Sequence, residues 1–324
     1  MATIIGRQID VGIGKESVRG TPVAPSFWLP AIGKDMEDTF ELAKDEAARG
    51  VIETDEDAQV IKRMSEGDIE GLVRDKSIGL LFLNLFGSVV TTPNSPEAGV
   101  HTHDFSVAQS VQHPSLTVAL KHANENVRFA LSMLSAFEMS VELGDFVKYT
   151  ASFMGKKGAS GSDTVSYTTE NEFVAQHATV KFATNLAGLA AAVATKVKSV
   201  TLSFEKNVET DDVVGSNEPN DILNKEFRVS GTVELLYTDT AFKALAVAGT
   251  QQAMRLTLLN TAVTIGASSN PKIEIDLAKA KFEEWSRDSG ANDLIRQTLT
   301  FEAYYSVTDA KMITGKLINT QASY

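Results

Sequence analysis

Apolar and polar residues alternate along much of this chain, and that period of two confines it to a mainly β fold. Residues 129–134, 137–142, 146–153, 197–204 and 299–305 all tend toward it. Side chains on a strand point alternately to its two faces, so each run presents one buried face and one wet face. Val141 and Phe146, parted by Gly144-Asp145, read as neighbouring strands of a hairpin. Helical signals are few. One covers 75–86, with Asp75 or Ser77 as its cap and Gly87 as its stop. The other covers 239–248, capped by Thr238 or Asp239 and stopped by Gly249.

The two helices sit in matching surroundings, which points to an internal repeat. Glu53-Thr54-Asp55 corresponds to Glu209-Thr210-Asp211, Gly71 to Gly231, and Gly87 to Gly249, at offsets of 156, 160 and 162 residues. Three ordered features at nearly constant offset predict duplication of one β-rich domain of about 150 residues. The seam between copies is Gly155-Lys156-Lys157-Gly158-Ala159-Ser160-Gly161-Ser162-Asp163, which has the composition of a flexible linker.

The 324 residues are 43% hydrophobic and 22% charged, enough for one large or two medium domains with their own cores. The most apolar stretches, 80–86 and 186–194, fall well short of the roughly 20 residues a membrane helix needs. Residues 1–7 carry neither the charged region nor the apolar core of a secretion signal, so a cytoplasm is the expected place of synthesis. With no cysteine, disulfides, thiolate nucleophiles and thiolate-held zinc drop out together. The net charge is −12. Lys and Arg number 15 against 22 Asp and Glu in residues 1–160, and 15 against 20 in 161–324. Neither half is a basic nucleic-acid module, and both would repel DNA.

No set of residues reads as a reactive site. Gly12-Ile13-Gly14-Lys15-Glu16-Ser17 fails as a phosphate loop, because Glu16 stands where Ser or Thr must follow the lysine and Ile9 holds the upstream glycine position. Ser17 likewise replaces the third glycine of a dinucleotide fingerprint. His101-Thr102-His103 puts two imidazoles on one strand face, with Asp104, His113 and His122 nearby. Catalytic zinc needs three ligands in fixed geometry, and histidines after a Pro/Gly-rich loop read instead as a solvated strand edge. Gly158-Ala159-Ser160-Gly161 is one residue short of a nucleophile elbow. The carboxylates of Asp35-Met36-Glu37-Asp38 and Glu53-Thr54-Asp55-Glu56-Asp57 lack both calcium-loop spacing and, in a chain only 7% aromatic, a sugar cleft. They read as acidic loops. No catalytic residue, metal or cofactor is expected, and the chain is not read as an enzyme.

Several stretches, in order, resemble one family. Val11-Gly12-Ile13-Gly14-Lys15-Glu16 followed by Arg19-Gly20-Thr21-Pro22-Val23-Ala24-Pro25 looks like the opening of the major tail tube proteins of long-tailed, siphovirus-like bacteriophages. Ser65-Glu66-Gly67-Asp68-Ile69-Glu70-Gly71, then Ile78-Gly79-Leu80-Leu81 with Leu85-Phe86-Gly87-Ser88, continue the likeness. Gln297-Thr298-Leu299-Thr300-Phe301-Glu302-Ala303-Tyr304 is similar to their last core strand. The resemblance spans nearly the whole chain and rests on the order of features, since no single motif is highly specific.

It implies a structural virion protein that polymerises into stacked rings, forming the hollow tube through which phage DNA reaches the host. The expected fold is a tandem duplication of tail tube β-sandwich or barrel domains, each with one flanking helix, at 1–160 (including an N-terminal arm, 1–26) and 161–324. Tube proteins of contractile tails and of type VI secretion share that domain, and single-domain members form hexameric rings. A duplicated chain implies three chains per ring with pseudo-sixfold symmetry, in preference to six. The tape measure protein and the tail terminator are the partners the family implies, and a tube without a sheath is the weaker default. DNA passes through the lumen without specific binding, no membrane is involved, and the expected places are the virion tail and the host bacterial cytoplasm during assembly. An acidic lumen suits such a conduit, because a wall that attracted phosphate would stall DNA. Glu53, Asp55, Glu56 and Asp57, with Glu209, Asp211 and Asp212, are the candidate contacts between rings. The alternative is a β-sandwich decoration protein or adhesin that binds the host surface, but its loops should be aromatic and these are rich in Pro, Ser and acids. An acidic hydrolase lacks a site. Periodicity alone leaves open which carboxylates face the lumen, because a one-residue slip in register exchanges the faces.

Overall fold

The computed structural model describes residues 5–324; residues 1–4, the start of the expected arm, lie outside them. The first half runs β1 (Asp10–Lys15), β2 (Phe27–Leu29), β3 (Ala31–Lys34), β4 (Glu37–Lys44), β5 (Ala58–Leu72) and helix α1 (Ile78–Phe86). It continues with β6 (Gly87–Pro93), β7 (His101–Val107), β8 (Leu116–Lys121), β9 (Asn126–Glu142), β10 (Lys148–Gly155) and β11 (Ala159–Ser160). The second half runs β12 (Ala178–Ala183), β13 (Ala194–Thr195), β14 (Val197–Glu205), β15 (Val208–Asp211), β16 (Asp221–Asn224) and β17 (Arg228–Leu236). Helix α2 (Ala241–Ala248), β18 (Gln252–Leu259), β19 (Lys272–Asp288), β20 (Arg296–Ala303) and β21 (Ile313–Asn319) complete it. The fold is mainly β, as the alternation requires.

Eight strands bond side by side in the order β4-β5-β10-β9-β14-β17-β20-β19, all antiparallel. The long strands β9 and β19 enter this sheet only with their second halves. Their first halves belong to two further sheets, ordered β2-β1-β8-β9-β11 and β13-β12-β18-β19-β21-β7-β6. The pairing order β2-β1-β8-β9 in the first half thus recurs as β13-β12-β18-β19 in the second, and β9-β10-β5-β4 recurs as β19-β20-β17-β14. Each long strand also carries one extra residue in its pairing with the next strand, Ser135 in β9 and Glu283 in β19. Such bulges bend a strand and sharpen its twist.

One apolar core runs through both halves. Every residue of α1 is buried, and Phe82 and Phe86 meet Phe105, Phe137 and Phe204, largely edge to face. Burying each such ring contributes roughly 1.5–3 kcal/mol. By contrast, α2 has no fully buried residue and rests Phe242, Leu245 and Ala246 on the core from outside.

Both helices stop where the sequence indicates, at Gly87 (φ 86°) and Gly249 (φ 61°). The first begins at Ile78 with Ser77, one of the two expected caps, in the cap position, and the second begins later than the sequence suggests, at Ala241 after Thr240. The Asp75 carboxylate accepts from the backbone and side-chain nitrogens of Asn171, and Ser77 gives its N–H and hydroxyl to Glu170, so neither caps the helix with its side chain. Asp239 does bond a first-turn amide, that of Ala241, at 2.9 Å. The expected linker is tied down: β11 pairs with β9, Gly158 donates to Asp38, and the buried Asp163 carboxylate holds Arg128. The chain then keeps packing on the first half, where Phe173 is fully buried and bonds Val73 and Val147 through its backbone.

Candidate functional surface

Alternation is close to strict along the central sheet. Phe137 and Met139, Leu202 and Phe204, and Leu299 and Phe301 point to the core, and the residues between them form the opposite face. Cross-strand pairing sets that face in rows. One reads Glu70, Thr150, Glu138, Ser203, Ser230, Glu302, and the next Lys148, Ser140, Thr201, Thr232, Thr300, Glu284. Hydroxyls dominate the middle and carboxylates the flanks. Three basic side chains on this face are taken: Arg228 bonds Glu302 at 2.6 Å, Arg296 bonds Glu234 at 2.7 Å, and Lys148 bonds Asp145 at 2.6 Å, while Lys281 lies across from Glu302 outside any ion pair among the described residues. Arg228 also holds the Glu302 carboxyl below the usual range. Among the described residues Glu66, Asp68, Glu70, Glu138, Glu142 and Glu205 are in no ion pair, so the face is acidic on balance. Chemistry spread over a broad face in this way suits contact with an extended partner.

The opening motif is structural. A side chain at Gly12 would strike Pro25 at 2.7 Å, and one at Gly14 the Ala24 carbonyl at 2.6 Å, so the glycines admit the returning segment beside β1. Glu16, which rules out a phosphate loop, is buried and accepts from Gly20 N, Leu131 N, Ser115 Oγ and Thr117 Oγ1. Sequence reasoning missed this role, and also that of Lys206. That side chain is wholly buried, with Nζ 2.7 Å from the Asn84 carbonyl, and burial lowers its pKa to about 7.

The histidine pair is not on a solvated edge. β7 is paired on both sides, by β6 and β21, and His103 is fully buried. Its Nδ1 meets Thr91 Oγ1 at 2.8 Å and its Nε2 meets Asn319 Oδ1 at 3.0 Å, while burial lowers its pKa and favours the neutral ring. Among the described residues no group of three or more His, Asp or Glu is arranged to hold a metal ion.

The acidic candidates lie on two hairpins. Glu53, Asp55, Glu56 and Asp57 belong to the exposed β4–β5 loop, where Arg49 pairs with Asp45 and Glu56 and Lys44 approaches Asp55 at 3.9 Å. Glu209 and Asp211 lie on β15, with Asp212 just beyond. Lys225 holds Glu209 and Lys62 holds Asp212, each at 2.6 Å, so the second hairpin is tied to the base of the first by the Lys62 bridge. The two groups are therefore linked through Lys62, but the tip at 53–57 stays apart.

Fold and surface together define a β-sheet protein whose polar groups are arrayed on a face. The model of the phage tail tube protein family matches residues 6–303, and the chain belongs to that family. It is a structural protein that assembles with itself into the tube of the virion tail, and its family is structural in kind, not enzymatic. The decoration or adhesin reading is not favoured by this match. A comparison with curated proteins finds no match.

Proposed function

We propose that each chain supplies two tube domains, that three chains close one ring, and that stacked rings enclose a DNA conduit lined by the hydroxyl-and-carboxylate face. The observation that carries this is the repeated pairing order, β9-β10-β5-β4 and β19-β20-β17-β14, with a bulge at Ser135 and at Glu283. Aligning the halves on those bulges matches Phe153 with Phe301, and through them Gly67 with Gly231, four residues from the Gly71 that spacing suggested. The division at 160/161 then shifts toward Ala178, where β12 takes up the place of β1. Carboxylates left without cations repel phosphate, which lets DNA slide without specific binding. The loops with Glu53, Asp55, Glu56 and Asp57, and with Glu209, Asp211 and Asp212, are the contacts between rings. A tape measure protein inside and a terminator at the end are the other partners, and assembly takes place in the host cytoplasm. The test is negative-stain microscopy of concentrated protein, with the mass per ring measured on the same sample. Hollow tubes with three chains per ring are expected; six chains per ring would remove the two-domain reading, and persistent monomers the tube.

A further inference from the structure

Lys206 lies where the two halves of the chain meet. It follows β14 directly, its backbone N–H donates to the Ser135 carbonyl of β9, and its Nζ donates to the Asn84 carbonyl of α1 at 2.7 Å. At the same seam Phe86 of α1 meets Phe204 and Phe227, with ring centres 6.3 and 6.1 Å away. Asn207 has φ 46°, a left-handed backbone that turns the chain just after the lysine. An ammonium has three donors, and this one has a single acceptor and no ion pair among the described residues. Neither α1 nor residues 133–137 of β9 carry an ionisable side chain, and Glu205 lies on the opposite, exposed face. The charged group acting on Lys206 is Arg19, itself paired with Asp221 at 2.5 Å. A cleft of about 520 Å³ reaches the lysine. Buried His113 and Asn224 line it with Lys206, and Lys225, Glu226, Tyr305 and Lys311 are its other titratable groups. Lys225 is paired with Glu209. His113 Nε2 meets the Ala108 carbonyl at 3.0 Å, whereas His113 Nδ1 and Asn224 Oδ1 have no partner among the described residues.

We propose that Lys206 is a proton switch on this seam: neutral, its amine stays on the Asn84 carbonyl and fastens the second half to α1; charged, it turns into the cleft toward Asn224 Oδ1 and water, and the seam loosens. A charged amine needs acceptors or water, and α1 offers it one carbonyl. Burial, with the charge of Arg19 acting in the same direction, lowers the pKa of Lys206 to about 7. An unfolded lysine keeps its proton up to about 10.4. Between those limits the unfolded chain holds one proton more than the folded one, so stability rises with pH, by about tenfold in the unfolding constant per unit. Below the lower limit both states are charged, the dependence ends, and the folded state bears the full cost of the buried charge. His113 follows on the acid side. Burial and the charge of Lys206 lower its pKa, so stability is lost again as the pH falls through about 6.5, where an unfolded histidine takes up its proton. The switch acts within one chain and is independent of the ring reading above.

Urea unfolding of the unassembled subunit across this pH range, wild type against Lys206→Met, isolates the group, because the other titrations are shared. The ratio of the two unfolding constants should move in favour of wild type by about tenfold per unit between about pH 7.5 and 9.5, and level off below about 7. Heteronuclear NMR of the lysine Cε groups in wild type should show one lysine titrating near neutrality, a signal that Lys206→Met lacks. Amide protection at 84–87 and 204–207 should fall roughly tenfold or more in wild type between about pH 8.5 and 6.5, with intrinsic exchange rates divided out. A ratio that stays flat, or wild-type lysines that all titrate near about 10.4, overturns the switch. A lysine that titrates near neutrality while the seam amides keep their protection overturns its hold on the seam. If Lys206→Met does not fold, the two wild-type measurements decide alone.

Discussion

A carboxylate taken out of water needs donors for its lone pairs, and Glu16 has four: two hydroxyls, Ser115 and Thr117, and two amides, Gly20 and Leu131. Leu131 is at φ 55°, an uncommon conformation for a leucine, and its N–H meets the carboxylate at 2.8 Å. The residue therefore joins the N-terminal turn, β8 and the irregular stretch of β9. Truncation to Ala would leave the donors buried and unpaired, each costing about 1–3 kcal/mol if nothing replaces the acceptor. Glu16→Ala is expected to destabilise the unassembled subunit by about 3 kcal/mol, allowing for partial relaxation, and Glu16→Gln by less. Urea unfolding at dilute concentration measures it, and a midpoint unchanged in the Ala variant would refute this role. Lys206 is the opposite case, an ammonium buried without a carboxylate partner among the described residues, and it answers by giving up its proton more readily.

At the scale of elements, the sheet is drawn together by glycines that let strands or rings come close. A Cβ on Gly231 would lie 2.3 Å from the Thr201 carbonyl, and one on Gly67 2.2 Å from the Asp35 carbonyl, both backbone atoms. One on Gly71 meets the tip of the Tyr149 side chain, at 2.8 Å. Gly67→Ala and Gly231→Ala are each expected to cost about 1–3 kcal/mol and more than Gly71→Ala, since a ring tip yields more easily than a strand. Thermal unfolding of the three variants checks this, and a Gly71→Ala loss as large as the other two would undo the pairing of Gly67 with Gly231. The strands were legible because period two is written directly in the residues. So was the body of α1, as an apolar run interrupted only by Asn84 and closed by glycine. Its start at Ser77 was legible too, but not the bonding there, because the side chains of Asp75 and Ser77 are committed to Asn171 and Glu170, nearly a hundred positions away. For the same reason Gly and Lys between 155 and 163 read as slack, while Arg128 and β9 hold that segment in place. The polar face was legible as alternation, but only pairing registers showed which carboxylates share a row.

For the whole molecule, the two acidic groups are unequal. Glu209 and Asp212 already have lysine partners within the chain, and Lys62 holds the Asp212 carboxyl below its usual range. The tip at 53–57 has more charge to offer a neighbouring ring. Reversing Glu53, Asp55, Glu56 and Asp57 to Lys is expected to raise the concentration needed for tube growth about tenfold or more, with shorter tubes and folded subunits. Reversing Glu209, Asp211 and Asp212 should do less. Sedimentation across a concentration series reads both, and unaffected growth in the first variant would exclude that loop. A last consequence concerns time. The outer side of β7 is closed by β21, which follows it by more than two hundred residues. At roughly 5–20 residues per second on a ribosome, β7 waits about 10–40 s for its partner to be made. Sister chains on the same messenger carry the same unfinished edge. His103 therefore starts life in water and leaves it only when Asn319 arrives.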